Sequence, residues 1–273
     1  MTGKQDYSQH PSPTTFERLR LILSTYQDGS GQQSAKDGRT LPGWRDFERA
    51  VALAFGGQAQ ENKFIFDVLV PDGHRNGVFA GISCKMRRTL NDTNRTGRVT
   101  LELSNSSGKF WDRLGERGLH QQNYKAHPRK VAEVLLELEN EWHQQVSLEQ
   151  GGTVDVSQSY YLTLSWNPQG EYQLFQFPLE LPQADDIKWD FPSAKNGNTV
   201  SPGRRLRGTD SGGTIFEWYG ESGGQLKYYP PAEKALWKSN IFRLEPLPEN
   251  WQEIHGILTK ARDYFPDLWE GVA

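Results

Sequence analysis

The sequence predicts a mixed α/β fold, a central mixed sheet flanked by helices, with a long loop-rich insertion in its C-terminal half. Three observations predict it. Apolar periodicity runs in the order helix, strands, helix, strands, helix. Two apolar runs, Phe64 to Val70 and Gly81 to Met86, enclose a short polar turn from Pro71 to Gly77. Residues 183–213 lack apolar periodicity and are rich in Gly, Asp, Ser and Arg, which reads as a long loop, functional or disordered. The expected organisation is a flexible tail over 1–13 and one domain over 14–273. Within that domain the core spans about 44–180 and the insertion about 183–245.

Each element follows from local pattern. Phe16, Leu19, Leu23 and Tyr26 give a first helical stripe, with Thr14 or Thr15 as its cap. Residues 27–41 are rich in Gly, Ser and Gln and read as loop. Trp44, Phe47, Val51, Ala54 and Phe55 form a second amphipathic helix, closed by Gly56-Gly57, with Glu48 beside the stripe. After the apolar hairpin, 89–97 reads as polar loop and Arg98 to Ser104 alternates as a half-buried strand. Phe110, Trp111 and Leu114 mark a short helix, and Val131 to Trp142 a long one. Tyr160 to Trp166 and Tyr172 to Phe177 form a hairpin about Asn167-Pro168-Gln169-Gly170. Two further strands are expected at Thr214–Tyr219 and Gln225–Tyr229. A last helix is expected from Asn250, with Glu253 completing a capping box.

Composition narrows the class. The chain of 273 residues is 35% hydrophobic and 24% charged, the balance of a water-soluble fold. It holds no run of about 18 apolar residues that could span a bilayer. The polar N-terminus lacks the apolar core of a secretory signal, and Cys84 is the only cysteine, which together fit a cytoplasmic setting. Cys84 alternates with Ser83 and Lys85 and is expected to point into the core. The net charge of −3 does not itself announce a nucleic-acid partner, but basic residues cluster locally at 85–88, 95–98 and 204–207.

The hairpin carries the chemistry. A charge set into an apolar strand costs several kcal/mol unless it finds a partner or a metal. If the hairpin is symmetric about its turn, Asp67 lies near Ser83, and Lys85 shares the face of Ser83. A carboxylate and an ammonium meeting there are what a metal-assisted phosphodiester hydrolase needs.

Glu48 on a leading helix, Asp67 on a strand and Ile82-Ser83-Cys84-Lys85 on the next strand resemble the PD-(D/E)xK nuclease core, as found in type II restriction endonucleases. The likeness covers about residues 44–115. It implies a restriction-endonuclease-like fold and a Mg²⁺-dependent enzyme that cuts double-stranded DNA at a short specific sequence. A homodimer is implied, with a cognate DNA methyltransferase as genetic partner only. Asp67 would bind Mg²⁺ and Lys85 would orient and help deprotonate the attacking water. The motif departs from the family pattern at Ser83, where a carboxylate is expected. In the Ser-x-Lys variants the missing carboxylate comes from further along the chain. Glu102, 17 residues beyond Lys85, is the preferred replacement, and Glu48 is the alternative. Asp72 in Pro71-Asp72-Gly73 is a literal PD, but it sits at the hairpin tip, away from Lys85.

Candidate DNA contacts are Arg87 and Arg88, the helix-start residues Ser104, Asn105 and Lys109, and the arginines Arg204, Arg205 and Arg207. Two other readings compete. Gly220-Glu221-Ser222-Gly223-Gly224 is a literal G-x-S-x-G, but a strand pattern follows where a nucleophile elbow needs a helix. A catalytically inactive DNA- or protein-binding module, or a repair or structure-specific nuclease of the same fold, would fit the same elements. No Cys/His spacing suggests a structural zinc.

Overall fold

Helix α1 (Pro13–Ser24) starts where Ser12 Oγ accepts the Thr15 N–H at 3.0 Å. Pro13 supplies the fixed φ that suits a first turn, so Ser12 caps the helix, not Thr14 or Thr15. Beyond it, β1 (Gln33–Ser34) and β2 (Thr40–Leu41) form a two-residue ladder inside the expected loop. Helix α2 (Trp44–Phe55) begins where the buried Asp46 carboxylate accepts the Gly43 N–H at 2.8 Å and the Gln32 N–H at 2.9 Å. It ends at Gly56, whose φ of +66° is a left-handed cap that glycine adopts without a Cβ penalty. The computed structural model describes residues 10–35, 38–60, 65–196 and 199–272.

The strands that follow are β3 (Gln58–Ala59), β4 (Val68–Pro71) and β5 (Phe79–Arg87). Then come α3 (Leu90–Thr96), β6 (Leu101–Ser104), α4 (Ser107–Glu116) and α5 (Pro128–Gln144). The hairpin strands are β7 (Tyr160–Trp166) and β8 (Glu171–Pro178). Six strands succeed them before residue 229: β9 (Lys188–Asp190), β10 (Ser193–Asn196), β11 (Thr199–Pro202), β12 (Leu206–Asp210), β13 (Gly213–Tyr219) and β14 (Gln225–Tyr228). The chain closes with β15 (Trp237–Lys238), β16 (Phe242–Arg243), α6 (Ile257–Tyr264) and α7 (Pro266–Glu270).

Where one domain was expected over 14–273, the chain forms two compact units. The first takes residues 1–91, 146–179 and 235–273, and the second takes 92–145 and 180–234. The expected insertion over 183–245 therefore ends early, and its last stretch returns to the first unit as β15 and β16.

The first unit is built on a mixed seven-stranded sheet in the order β15-β8-β7-β5-β4-β3, with β16 also on β8. All its pairs are antiparallel except β5 with β7. One face carries Val68, Ile82, Cys84, Tyr160, Leu162, Leu164 and Leu174 into a core shared with Leu19, Leu23, Phe47, Val51, Ala261 and Trp269 of the helices. Alternation thus sends Cys84 inward as expected, and leaves Ser83 and Lys85 on the other face. The hairpin register is set by Val68 opposite Ile82 and Leu69 opposite Gly81. Gly81 is needed for close packing, since a Cβ there would overlap the buried Phe66 ring. Gly81→Ala is expected to destabilise the fold by about 1–3 kcal/mol, read by urea denaturation. Phe66 adjoins Asp67, so the same change displaces the site.

The second unit has a five-stranded antiparallel sheet in the order β6-β14-β13-β12-β9, with α4 and α5. Phe110, Phe216, Trp218 and Leu226 are buried at its centre, and Phe216 stacks on Tyr228 with ring centroids 4.6 Å apart.

Four expectations are corrected. Residues 90–96 are helical, not loop. Leu90 and Thr93 are their only buried side chains, so no stripe marks the helix, and local contacts such as Arg95 to Asp92 at 2.6 Å support it. The stretch 183–213 holds four strands, β9 to β12, because strand partners supply the ladder bonds that short polar sequences do not advertise. Arg98 sits in an isolated bridge, so the strand expected from it starts at Leu101. The last helix starts at Ile257, not Asn250, since Gly256 has a φ of +90° that breaks helical geometry before it. Phe64, at the start of the first apolar run, and residues 1–9 of the expected tail lie outside the described residues.

Candidate active site

Asp67 precedes β4, and its N–H bonds the Ile82 carbonyl at 3.1 Å, which extends the hairpin register by one residue. That register puts Asp67 across from Ser83. The Asp67 Oδ2 atom accepts the Cys84 N–H at 2.7 Å and lies 3.5 Å from Ser83 Oγ. Lys85 Nζ stands 3.9 Å from the same oxygen. Both side chains are partly shielded, Lys85 at 18% exposure and Asp67 at 27%. The distance is that of an ion pair, longer than a hydrogen bond, so the ammonium keeps its directed donors available. The other carboxylate oxygen, Oδ1, has no partner among the described residues.

Helix α2 packs against β4 and β5 and brings Glu48 to the same place. Its carboxyl is half-buried and pushed up to about 7, first by burial and then by the negative charge of Asp67, with Lys85 acting in the opposite direction. Two carboxylates and one ammonium thus share one pocket of field. An unfolded glutamate sheds its proton near 4.5 while the folded one retains it to about 7, so Glu48 erodes stability as pH rises between those values. Glu48→Gln is expected to gain stability over the parent at pH 8 and to lose that advantage at pH 4, measured by denaturant unfolding at both.

This donor set suits a hard divalent cation. Mg²⁺ takes oxygen ligands, keeps several waters and usually uses one or two carboxylates. Asp67 Oδ1 and the Glu48 carboxylate are such a pair, and their mutual repulsion is what a cation would relieve. Among the described residues, no group of three or more His, Cys, Asp or Glu converges as a metal cage. Cys84 is not part of the chemistry: it is buried, and burial pushes its thiol well above the usual range.

Arg87 ends β5, and the Arg88 guanidinium lies 5.8 Å over the Trp166 ring. Glu102, Ser104, Asn105, Lys109, Arg204, Arg205 and Arg207 belong to the second unit. There Glu102 is on a strand, opposite Lys227, and accepts Asn105 Nδ2 at 2.6 Å and the Gln225 amide. Ser104 donates to Glu139, and the Lys109 ammonium lies 5.3 Å from the Trp142 ring centroid. The arginines each have an acid: Arg204 with Glu221 at 3.7 Å, Arg205 with Glu217 at 3.1 Å and Arg207 with Asp190 at 3.1 Å. Arg207 lies on β12 and not in a loop. Asp72 is held at the hairpin tip by Arg75 at 2.5 Å and by the His74 N–H. The Gly220–Gly224 stretch is the turn between β13 and β14, with Gly223 and Gly224 at positive φ and no helix after it.

Trp44, expected in the apolar stripe of α2, is instead exposed at its first turn, and the exposed Arg45 and Arg49 of the same helix escaped the sequence reading. Trp44 lies four residues before Glu48 on the same helix face, a spacing that could have flagged it.

Comparison of the chain with known protein families, with characterised proteins and with solved structures finds no match.

Proposed function

We propose that this chain is a Mg²⁺-dependent endonuclease that hydrolyses phosphodiester bonds of double-stranded DNA, acting at a short specific sequence as a homodimer. One observation carries the reading: Asp67 and Lys85 meet at 3.9 Å across the hairpin, and their charges act on the Glu48 carboxyl. The topology is consistent with it, since a leading helix followed by an antiparallel hairpin that carries Asp67 and Lys85 is what the PD-(D/E)xK resemblance implies. Asp67 and Glu48 are assigned as the metal carboxylates, with Glu48 preferred to Glu102 because the charges of Asp67 and Lys85 act on its carboxyl. The hydroxyl of Ser83 then need not serve as a ligand.

Bound Mg²⁺ would supply charge to polarise the scissile phosphate and lower the pKa of a water. The residues do the rest. The Cys84 N–H fixes one Asp67 oxygen and leaves the other turned outward. Lys85, tethered loosely by Asp67, has donors for a phosphate oxygen and for the attacking water, and holds that water in line. A homodimer places two such sites on the two strands of a near-palindrome.

The test is incubation of the purified protein with plasmids of varied sequence and methylation state. Nicked and linear products are expected with Mg²⁺ and none with EDTA. Intact DNA in every arm, with Mn²⁺ as well, would favour a binding-only module, the reading that Ser83 in the carboxylate position keeps in play.

A further inference from the structure

Resting on the nuclease reading, we propose that Trp44, backed by the Arg45 guanidinium, is a stacking platform for an unpaired nucleobase beside the scissile phosphate. Trp44 opens α2, and at 49% exposure it is the most exposed tryptophan of the chain, with Trp251 next at 40%. The Arg45 guanidinium lies 4.8 Å from its ring centroid and covers one face. No second ring or cation packs on the opposite face among the described residues.

Position and charge identify the occupant. One helical turn separates Trp44 from Glu48, so the indole and the carboxylate lie on the same face of α2. A strand whose phosphate reaches Lys85 and Asp67 therefore carries its flanking nucleotide towards the indole. Arg45 and Arg49 are exposed, and both act electrostatically on Glu48, so a cationic edge runs beside the site. That edge complements a phosphate backbone and disfavours a protein partner of like charge. Every base offers a π face, so the platform accepts any sequence. A base inside an intact duplex has its faces covered, so the ligand class is a base that is unpaired, flipped out or next to a gap.

The experiment measures binding with Ca²⁺ in place of Mg²⁺, so that cleavage does not enter. Probes are a short mixed-sequence duplex, the same duplex with a central gap flanked by 2-aminopurine, and the matching single strand. Binding of the gapped probe is expected to quench 2-aminopurine. Trp44→Ala should weaken gapped and single-stranded binding by about tenfold and abolish the quenching, while Trp44→Phe retains both. Circular dichroism and thermal melting of Trp44→Ala should match the parent, since half the side chain is in water. Equal affinity of parent and Trp44→Ala for all three probes would overturn the platform, as would quenching that survives the substitution. A loss of intact-duplex binding equal to the loss on gapped DNA would also overturn it, since that is a backbone contact only. Failure of the nuclease reading shows separately, as plasmids left intact with Mg²⁺.

Discussion

Lys85→Ala is expected to lower Mg²⁺-dependent DNA cleavage by at least about a hundredfold and up to about ten-thousandfold, the range for losing a positioned proton-transfer group. Binding of DNA should survive, because the ammonium is one cation among several near the site. The melting temperature should move by no more than about 4 °C. Lys85 is an ion-pair partner at 3.9 Å and not a packed core group, and Asp67 keeps its bond from the Cys84 N–H. Lys85→Arg should fail to rescue cleavage. A guanidinium is a rigid planar fork that stays protonated, whereas a lysine amine is compact and can accept the proton of the attacking water. Asp67→Asn should be equally inactive for a different reason. It keeps shape and most hydrogen bonding but removes the charge that would attract the cation, so excess Mg²⁺ should recover part of its activity and none of that of Lys85→Ala.

The second large effect separates the two candidate glutamates. Glu48→Gln is expected to raise the Mg²⁺ concentration for half-maximal cleavage by about tenfold or more, since even a residue behind a metal ligand commonly costs that much. Glu102→Gln should leave that concentration unchanged, because its carboxylate is engaged on its own strand by Asn105 and Gln225. The parent should also show Mg²⁺ affinity rising with pH between about 6 and 8. Glu48 must lose its proton to ligate, and in the metal-free protein it does so at about 7. The pH dependence should flatten in Glu48→Gln. Titration calorimetry of Mg²⁺ in two buffers of different ionisation heat reads the proton release directly. An unchanged Mg²⁺ requirement in Glu48→Gln, with a raised one in Glu102→Gln, would restore the assignment first suggested by spacing.

The hairpin was legible in the sequence because its signals are local. A turn with Pro and Gly fixes the register, alternation fixes the faces, and together they place Asp67 opposite Ser83 and Lys85 beside it. The helices at 44–55 and 128–144 were legible for the same reason, since apolar spacing marks the buried face. What escaped was decided by distant residues. Strands β9 to β12 are short and polar, and their partners are what make them strands. The helix at 90–96 buries too little to leave a stripe. The break at Gly256 depends on a backbone angle, not on the capping pattern three residues earlier that suggested a start. Within the site, spacing along the chain favoured Glu102, while the charges that Asp67 and Lys85 exert on Glu48 of α2 are the ground for proposing it instead. Sequence distance is a poor guide to a carboxylate supplied from a separate element.

The most direct measurement is anomalous diffraction from a crystal of the protein soaked in Mn²⁺, collected on the manganese edge. One strong peak is expected within coordination distance of Asp67 Oδ1 and the Glu48 carboxylate, close to Lys85 Nζ, and it should vanish in Asp67→Asn. Absence of a peak there, or a peak that ignores both carboxylates, would contradict the assignment of this hairpin as a metal-dependent phosphodiester-cleaving site.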